Sequence, residues 1–162
     1  MSNIIDLRKV FFDTLLELAR KDKKIICIVG DLGFSFCEQF KKELPKQFLN
    51  AGCIEQSIVG IAAGMALAGL NPYVYSCAPF LVFRAYEQIR DDVCYNNLNV
   101  KIVGTGADGF LGFSHNLNPI DEDIKTLKHL PNLKISWPKT KKKLRYMLKK
   151  SVLNNNPQYF KL

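Results

Sequence analysis

The sequence has little with which to hold a metal or build a disulfide framework. Its 162 residues include two histidines and five cysteines, an odd number. Cys27, Cys37, Cys53, Cys77 and Cys94 form no Cys-x-x-Cys pair and have no histidine near them in sequence. Metal sites and disulfide scaffolds are set aside on that ground, and buried reduced thiols are expected. No apolar run reaches the length of a membrane span. Residues 1–8 lack the basic-then-apolar layout of a secretory signal, so the cytoplasm is the expected location. The G-x-S-x-G turn of serine hydrolases is missing, and Gly109 and Gly112 lack the spacing of a phosphate cradle.

What is present is a soluble composition, 48% hydrophobic and 23% charged, with a formal net charge of +8. The densest basic cluster is Lys139, Lys141, Lys142, Lys143, Arg145, Lys149 and Lys150. Within it Leu144, Met147, Leu148 and Val152 recur at helical spacing, so the lysines form the solvated face of an amphipathic helix. The aromatics are scattered and no nucleic-acid motif accompanies the charge, which argues against nucleic acid and fits anionic sugar phosphates or an acidic partner.

Periodicity predicts an alternation of strands and helices. Leu7, Val10, Phe11, Leu15, Leu18 and Ala19 mark a helix face ending near Lys21, and Ile25 to Val29 reads as a buried strand. A helix from about Phe36 stops at Pro45, and Phe48 to Ala51 is a strand candidate. The stretch from Glu55 to Ala68 is apolar and rich in small residues. Glycine costs a helix about 1 kcal/mol relative to alanine, so Gly60 and Gly64 suggest that another backbone approaches closely. Asn71-Pro72 reads as a break before a strand at Tyr73 to Ser76. A helix from about Phe80 to Val93, a strand Val100 to Val103, and a Gly-rich loop over 104–119 follow. Asp121, Glu122 and Asp123 suit a helix N-terminus. Leu133 to Ser136, the basic helix at 139–152, and Tyr159 to Leu162 complete the pattern. The expectation is one domain over residues 1–162, an α/β doubly wound, mostly parallel sheet with helices on both faces.

In such sheets ligands gather at the carboxyl ends of the strands. Three segments bring polar residues there: Gly30 to Gly33 with Asp31, Gly52 to Gln56 with Glu55, and Ser114-His115-Asn116. Glu55 heads an almost wholly apolar helix, a setting that disfavours the ionised form. It could instead cap that helix through free backbone N–H groups. His115 could be a surface histidine, and Asp31 either a ligand residue or a turn residue.

The run GCIEQSIVGIAAGMALAGLNP resembles the pyrimidine-binding domain of the transketolase family. It is also similar to 1-deoxyxylulose-5-phosphate synthases and to the β-chains of 2-oxo-acid dehydrogenases. DLRKVFFDTLLELARKD, IVGDLG, FRAYEQIRDDV, the His115 loop, LKHLPNLKISWP and PQYFKL extend the likeness over nearly the whole chain. It implies thiamine diphosphate as cofactor, with Glu55 at the pyrimidine nitrogen opposite the exocyclic amine. A proton held there favours the imino tautomer, which takes the proton from the thiazolium carbon. Phe80 matches the residue that stacks on the pyrimidine, and Phe83 a further wall of the pocket. Cys77 stands where many relatives have another aromatic, which would widen that pocket. Asp31 matches an acidic residue near the thiazolium ring, Arg8 and Ser35 match sugar-phosphate contacts, and His115 a histidine that touches substrate hydroxyls.

The departures are equally specific. Transketolases usually carry G-E-D-G-x-T-H-Q through that histidine. Here the segment reads GADGFLGFSHN, with Leu111 in place of a donor-recognising aspartate and Asn116 in place of the glutamine. The residues that bind the magnesium diphosphate in the family have no counterpart, and the third transketolase domain is expected to be absent. The resemblance therefore implies a pyrimidine subunit that works only with a diphosphate-binding chain, which would hold Mg2+. The implied assembly is a self-dimerising heterotetramer acting on a sugar phosphate or a 2-oxo acid. A 2-oxo-acid decarboxylating or 1-deoxy-sugar synthase subunit, or a non-catalytic regulatory subunit, are the rivals.

Overall fold

Six parallel strands form one sheet in the order β2-β1-β3-β4-β6-β5, in a computed structural model that describes residues 6–106 and 116–162. The strands are β1 (Ile25–Val29), β2 (Phe48–Asn50), β3 (Asn71–Cys77), β4 (Lys101–Thr105), β5 (Lys134–Ser136) and β6 (Gln158–Lys161). The helices are α1 (Arg8–Ala19), α2 (Glu38–Glu43), α3 (Glu55–Leu67), α4 (Glu122–Leu127) and α5 (Lys141–Ser151). None of the helices among the described residues is long and apolar enough to cross a membrane.

Both faces of the sheet are covered, because successive strand residues point to opposite sides. Ile25, Cys27, Val29, Tyr73, Tyr75, Val103 and Phe160 pack with Phe11, Leu15, Phe40, Leu144 and Leu148 on one side. Ile26, Ile28, Val74, Ile102 and Tyr159 pack with Ile58, Val59, Ala62, Leu81, Ile89 and Leu127 on the other. Thus α1, α2 and α5 cover one face and α3 and α4 the other, the doubly wound arrangement that the alternation predicts. The basic cluster lies on α5 as expected, with Leu144 and Leu148 buried beneath it.

Several local expectations are corrected. Asn71-Pro72 does not break the chain but opens β3, with Pro72 opposite Ile26 of β1. A proline is tolerated so near a strand's start because few ladder bonds are lost there. Phe80 to Val93 is not a single α-helix: Phe80–Arg84 and Gln88–Tyr95 are two stretches of wide, π-type turns. Among the described residues, no backbone comes close to Gly60 or Gly64: a Cβ at Gly64 would meet nothing within 4 Å, and one at Gly60 only Asp92 Oδ2 at 3.9 Å. Of the cysteines, all unpaired, Cys53 is exposed rather than buried.

Asp121 stands at the N-cap of α4 and Glu122 and Asp123 in its first turn, as the acidic run implies. Asp123 is also fully buried, and Lys161 beside it is 2% exposed. Lys161 Nζ donates to Asp123 Oδ1 at 2.8 Å, to Oδ2 at 2.9 Å and to the Ile120 carbonyl at 2.6 Å. The Tyr159 hydroxyl donates to Asp123 Oδ2 at 2.5 Å. Burial and the adjacent carboxylate push the Tyr159 hydroxyl well above its ordinary pKa, so it stays a donor. This cluster ties α4 to the end of β6. Lys161→Met should cost about 3–5 kcal/mol, the usual penalty for leaving one partner of a buried pair uncompensated. Urea unfolding of the variant checks this, and a loss below about 1 kcal/mol, the scale of exposed pairs, would contradict it.

Candidate active site at the carboxyl edge of the sheet

Glu55 is the first residue of α3 and is 4% exposed. Its burial is as expected, but its setting is polar at both oxygens, which corrects the expectation of an apolar one. Ser76 Oγ, from β3, donates to Oε1 at 3.1 Å, and Arg84 Nη1 approaches Oε2 at 3.5 Å. The carboxylate thus turns toward side chains of neighbouring elements instead of capping its own helix. Gly30 makes room for this arrangement, since a Cβ there would lie 3.0 Å from Ser76 Oγ. An open cleft of about 200 Å³ is lined by Cys53, Ile54, Glu55, Gln56, Ser57 and Arg84.

Arg84 also stands over the ring of Phe80, with Cζ 3.7 Å from the ring centroid. The structure therefore joins Glu55 and Phe80 through a residue that periodicity did not single out. Its signal was a lone cation four places after Phe80, a spacing at which helical side chains meet. Phe83 is not part of this group; it is 42% exposed and absent from the cleft lining. Cys77 lies beneath, buried, and its thiol is pushed up to about 11, chiefly by burial, so it remains protonated near neutrality.

A second cleft of about 160 Å³ is lined by Arg8, Leu32, Gly33, Phe34, Phe36, Tyr75, Thr105 and Gly106. Arg8 is oriented by Asp6, which accepts from Nε at 3.0 Å and from Nη2 at 2.9 Å, and its guanidinium stands 4.9 Å from the Phe36 ring centroid. Ser35 is exposed on the adjoining turn, where its N–H donates to Glu38 Oε1 at 2.7 Å. Asp31 begins that turn. Asp31 and Ser35 adopt positive φ, 51° and 70°, a conformation that side chains rarely hold without local support. Asn50 supplies it for Asp31, accepting from the Asp31 N–H at 3.1 Å and donating to Asp31 Oδ1 at 3.0 Å. The same Asn50 accepts from the Gly52 N–H at 3.1 Å, so it links the Asp31 turn to the approach to Glu55.

His115 and Leu111 lie outside the described residues, and Asn116, the first residue after them, is exposed. The run Gly104 to Gly109 does have the G-x-G-x-x-G spacing. Gly104 itself lies within β4, where a Cβ would be 2.9 Å from that of Ala78, and Gly109 lies outside the described residues. Among the described residues no group of three or more His, Cys, Asp or Glu could hold a metal ion.

Comparison with known proteins agrees with this geometry. The profile of the family described as "Transketolase, pyrimidine binding domain" matches residues 3–162. The chain belongs to that family. It is 39% identical over 165 residues to one of the subunits of apulose-4-phosphate transketolase from Phocaeicola vulgatus, covering 99% of this chain and 52% of that protein. It is 38% identical over 131 residues to 1-deoxy-D-xylulose-5-phosphate synthase of Bacillus cereus, covering 80% of this chain and 20% of that protein. A solved split-gene transketolase, described as an inactive β4 tetramer, superposes with a TM-score of 0.86 at 34% identity. It covers 96% of this chain and 50% of that one. The chain thus spans about half the length of the P. vulgatus protein it matches.

The Asn50 bridge yields a prediction that needs no ligand. Asn50→Ala should lower stability by about 1–2 kcal/mol, the scale of a few partly exposed hydrogen bonds. It should also raise amide hydrogen exchange at both Asp31 and Gly52. Exchange unchanged at either residue would show that Asn50 does not couple the two turns.

Proposed function

We propose that this chain is the pyrimidine-binding part of a split, thiamine diphosphate-dependent transketolase that moves a two-carbon ketol unit between sugar phosphates. The observation that carries the reading is Glu55, a buried carboxylate at the head of α3 that lines a cleft. The pyrimidine end of the cofactor fits what is present. A flat nitrogen-bearing group, the Arg84 guanidinium, already lies on Phe80 and against Glu55. The diphosphate end has no acidic cluster for its Mg2+ among the described residues, and we assign it to a partner chain.

When bound, the cofactor supplies the electron sink for cutting a two-carbon unit from one sugar and joining it to another. Glu55 holds a proton at the pyrimidine nitrogen, and Ser76 fixes its other oxygen. Phe80 would support the ring, Phe83 and Asp31 would complete its surroundings, and Arg8 and Ser35 would take the phosphate of the substrate. We assign His115 to substrate hydroxyls. The name of the P. vulgatus relative supports a ketose phosphate such as apulose 4-phosphate as donor. The partner is a diphosphate-binding chain in a heterotetramer, and the inactive β4 state described for the similar split-gene enzyme supports dependence on it. Unpaired cysteines suit the reducing cytoplasm.

In the reconstituted pair, Glu55→Gln should leave assembly intact and slow proton–deuterium exchange at the thiazolium carbon by at least about a hundredfold, the scale of losing a positioned acid. Exchange at the wild-type rate would remove Glu55 from this role. The chain alone should bind thiamine diphosphate and Mg2+ only weakly, and a submicromolar Kd by calorimetry would refute the division between chains.

A second reading is a synthase that uses pyruvate-like donors, favoured by Leu111 where transketolases have an aspartate. A site without that carboxylate discriminates hydroxyl patterns weakly. Competition between pyruvate and a ketose phosphate in the reconstituted enzyme decides between the two. A higher kcat/KM for the sugar phosphate is the outcome expected of the main reading.

A further inference from the structure

Arg84 makes, within the chain, both of the contacts that the proposed reading assigns to the cofactor's pyrimidine. Its guanidinium is flat, delocalised and edged with N–H donors, and its Cζ lies over the Phe80 ring, 3.7 Å from the centroid. Its Nη1 reaches Glu55 Oε2 at 3.5 Å, and both residues line the cleft, while Ser76 Oγ donates to Oε1. An aminopyrimidine offers the same features: a planar π-face for Phe80 and a nitrogen edge for the carboxyl group. Two flat groups cannot share that one slot.

We propose that Arg84 is a resident stand-in for the pyrimidine, filling the slot between Phe80 and Glu55 in the cofactor-free chain and swinging out when the ring enters. This rests on the thiamine reading of the site. Two features equip Arg84 for the role. The Glu55 side chain is only 3% exposed, so without cofactor its charge needs a nearby cation, which Arg84 supplies. The Arg84 side chain is 52% exposed, so it has a short way into solvent and leaves no cavity in the core when displaced. At 3.5 Å its bond to Glu55 is at the long limit, weaker than the short bonds that fix Lys161. The slot is therefore pre-shaped by a side chain that does not lock it. A site that must first shed an internal occupant binds its ligand more weakly by the fraction of time it is open. Removing the occupant should then tighten binding, the opposite of what a direct ligand contact would do.

The experiment uses the full chain with the isolated pyrimidine moiety, 4-amino-5-hydroxymethyl-2-methylpyrimidine, followed by NMR. In the wild type the Arg84 side-chain resonances should carry the ring-current shift of Phe80, move to solvent-exposed values on titration, and lose the shift in Phe80→Leu. Arg84→Ala should bind the pyrimidine about 3- to 10-fold more tightly than wild type, the factor removed with a mostly closed state. Arg84→Gln, which keeps a polar amide without the charged plane, should also bind more tightly. It guards against misreading a folding defect in Arg84→Ala, as does an unchanged amide spectrum. Weaker or unchanged binding in both variants, with wild-type binding intact, overturns the stand-in and leaves the thiamine reading standing. No binding by wild type or either variant overturns both.

Discussion

A carboxylate withdrawn from water at the end of a buried sheet must find polar company, and the neighbourhood of Glu55 is arranged around that demand. β1, β3 and β4 are buried along their whole length, so polar side chains there can meet a ligand only at the strand ends. Ser76, the penultimate residue of β3, reaches Glu55 because position 30, at the end of β1, is glycine. Arg84 reaches it from the wide turns after β3. Those turns are π-type, a geometry frequent at functional sites, and here they bring Arg84 to the cleft with its guanidinium over Phe80.

The buried pair of Lys161 and Asp123 solves the same problem by a different route. Lys161 and Asp123 satisfy each other with short bonds, and Tyr159 and the Ile120 carbonyl complete the set. That cluster is closed, whereas the Glu55 group is open to a cleft on one side. A closed pair rigidifies; an open one leaves a group that a ligand can take over. The contrast separates a structural ion pair from a candidate site more sharply than burial does, since Glu55, Asp123 and Lys161 are all almost inaccessible.

The sheet and its two coverings were legible because period and composition agree for α1, β1 and α5, where apolar spacing fixes both type and facing. What sequence could not show was any choice made by tertiary packing. The slip from α to π turns after Phe80 leaves the apolar pattern unchanged. The burial of Asp123 depends on Lys161, 38 residues away. Glu55 stood out as a charge at the head of an apolar helix, and its role came only with the family resemblance. Its partners did not stand out, because Ser76 and Arg84 meet it across 21 and 29 residues. The small residues at Gly60 and Gly64 meet no close backbone among the described residues, because spacing alone does not say what packs against a helix face.

The placement of the two clefts bears on what kind of ligand this edge can serve. The Arg8 cleft is lined by Phe36 and Tyr75, which belong to the core face covered by α1. The Glu55 cleft opens beside α3, on the opposite face. β1 and β3 are neighbours within the sheet, and the chain leaves them toward opposite faces, which opens a crevice over their ends. Asn50 connects the Asp31 turn to the Gly52 turn along that crevice. A ligand engaging both clefts would have to lie across the strand ends, with a flat apolar part at Phe80 and an anionic part near Arg8. On the proposed reading these two parts belong to different molecules, cofactor and substrate, whose reacting atoms meet between them. On the same reading, the cofactor's diphosphate would find no acidic cluster among the described residues to hold its metal.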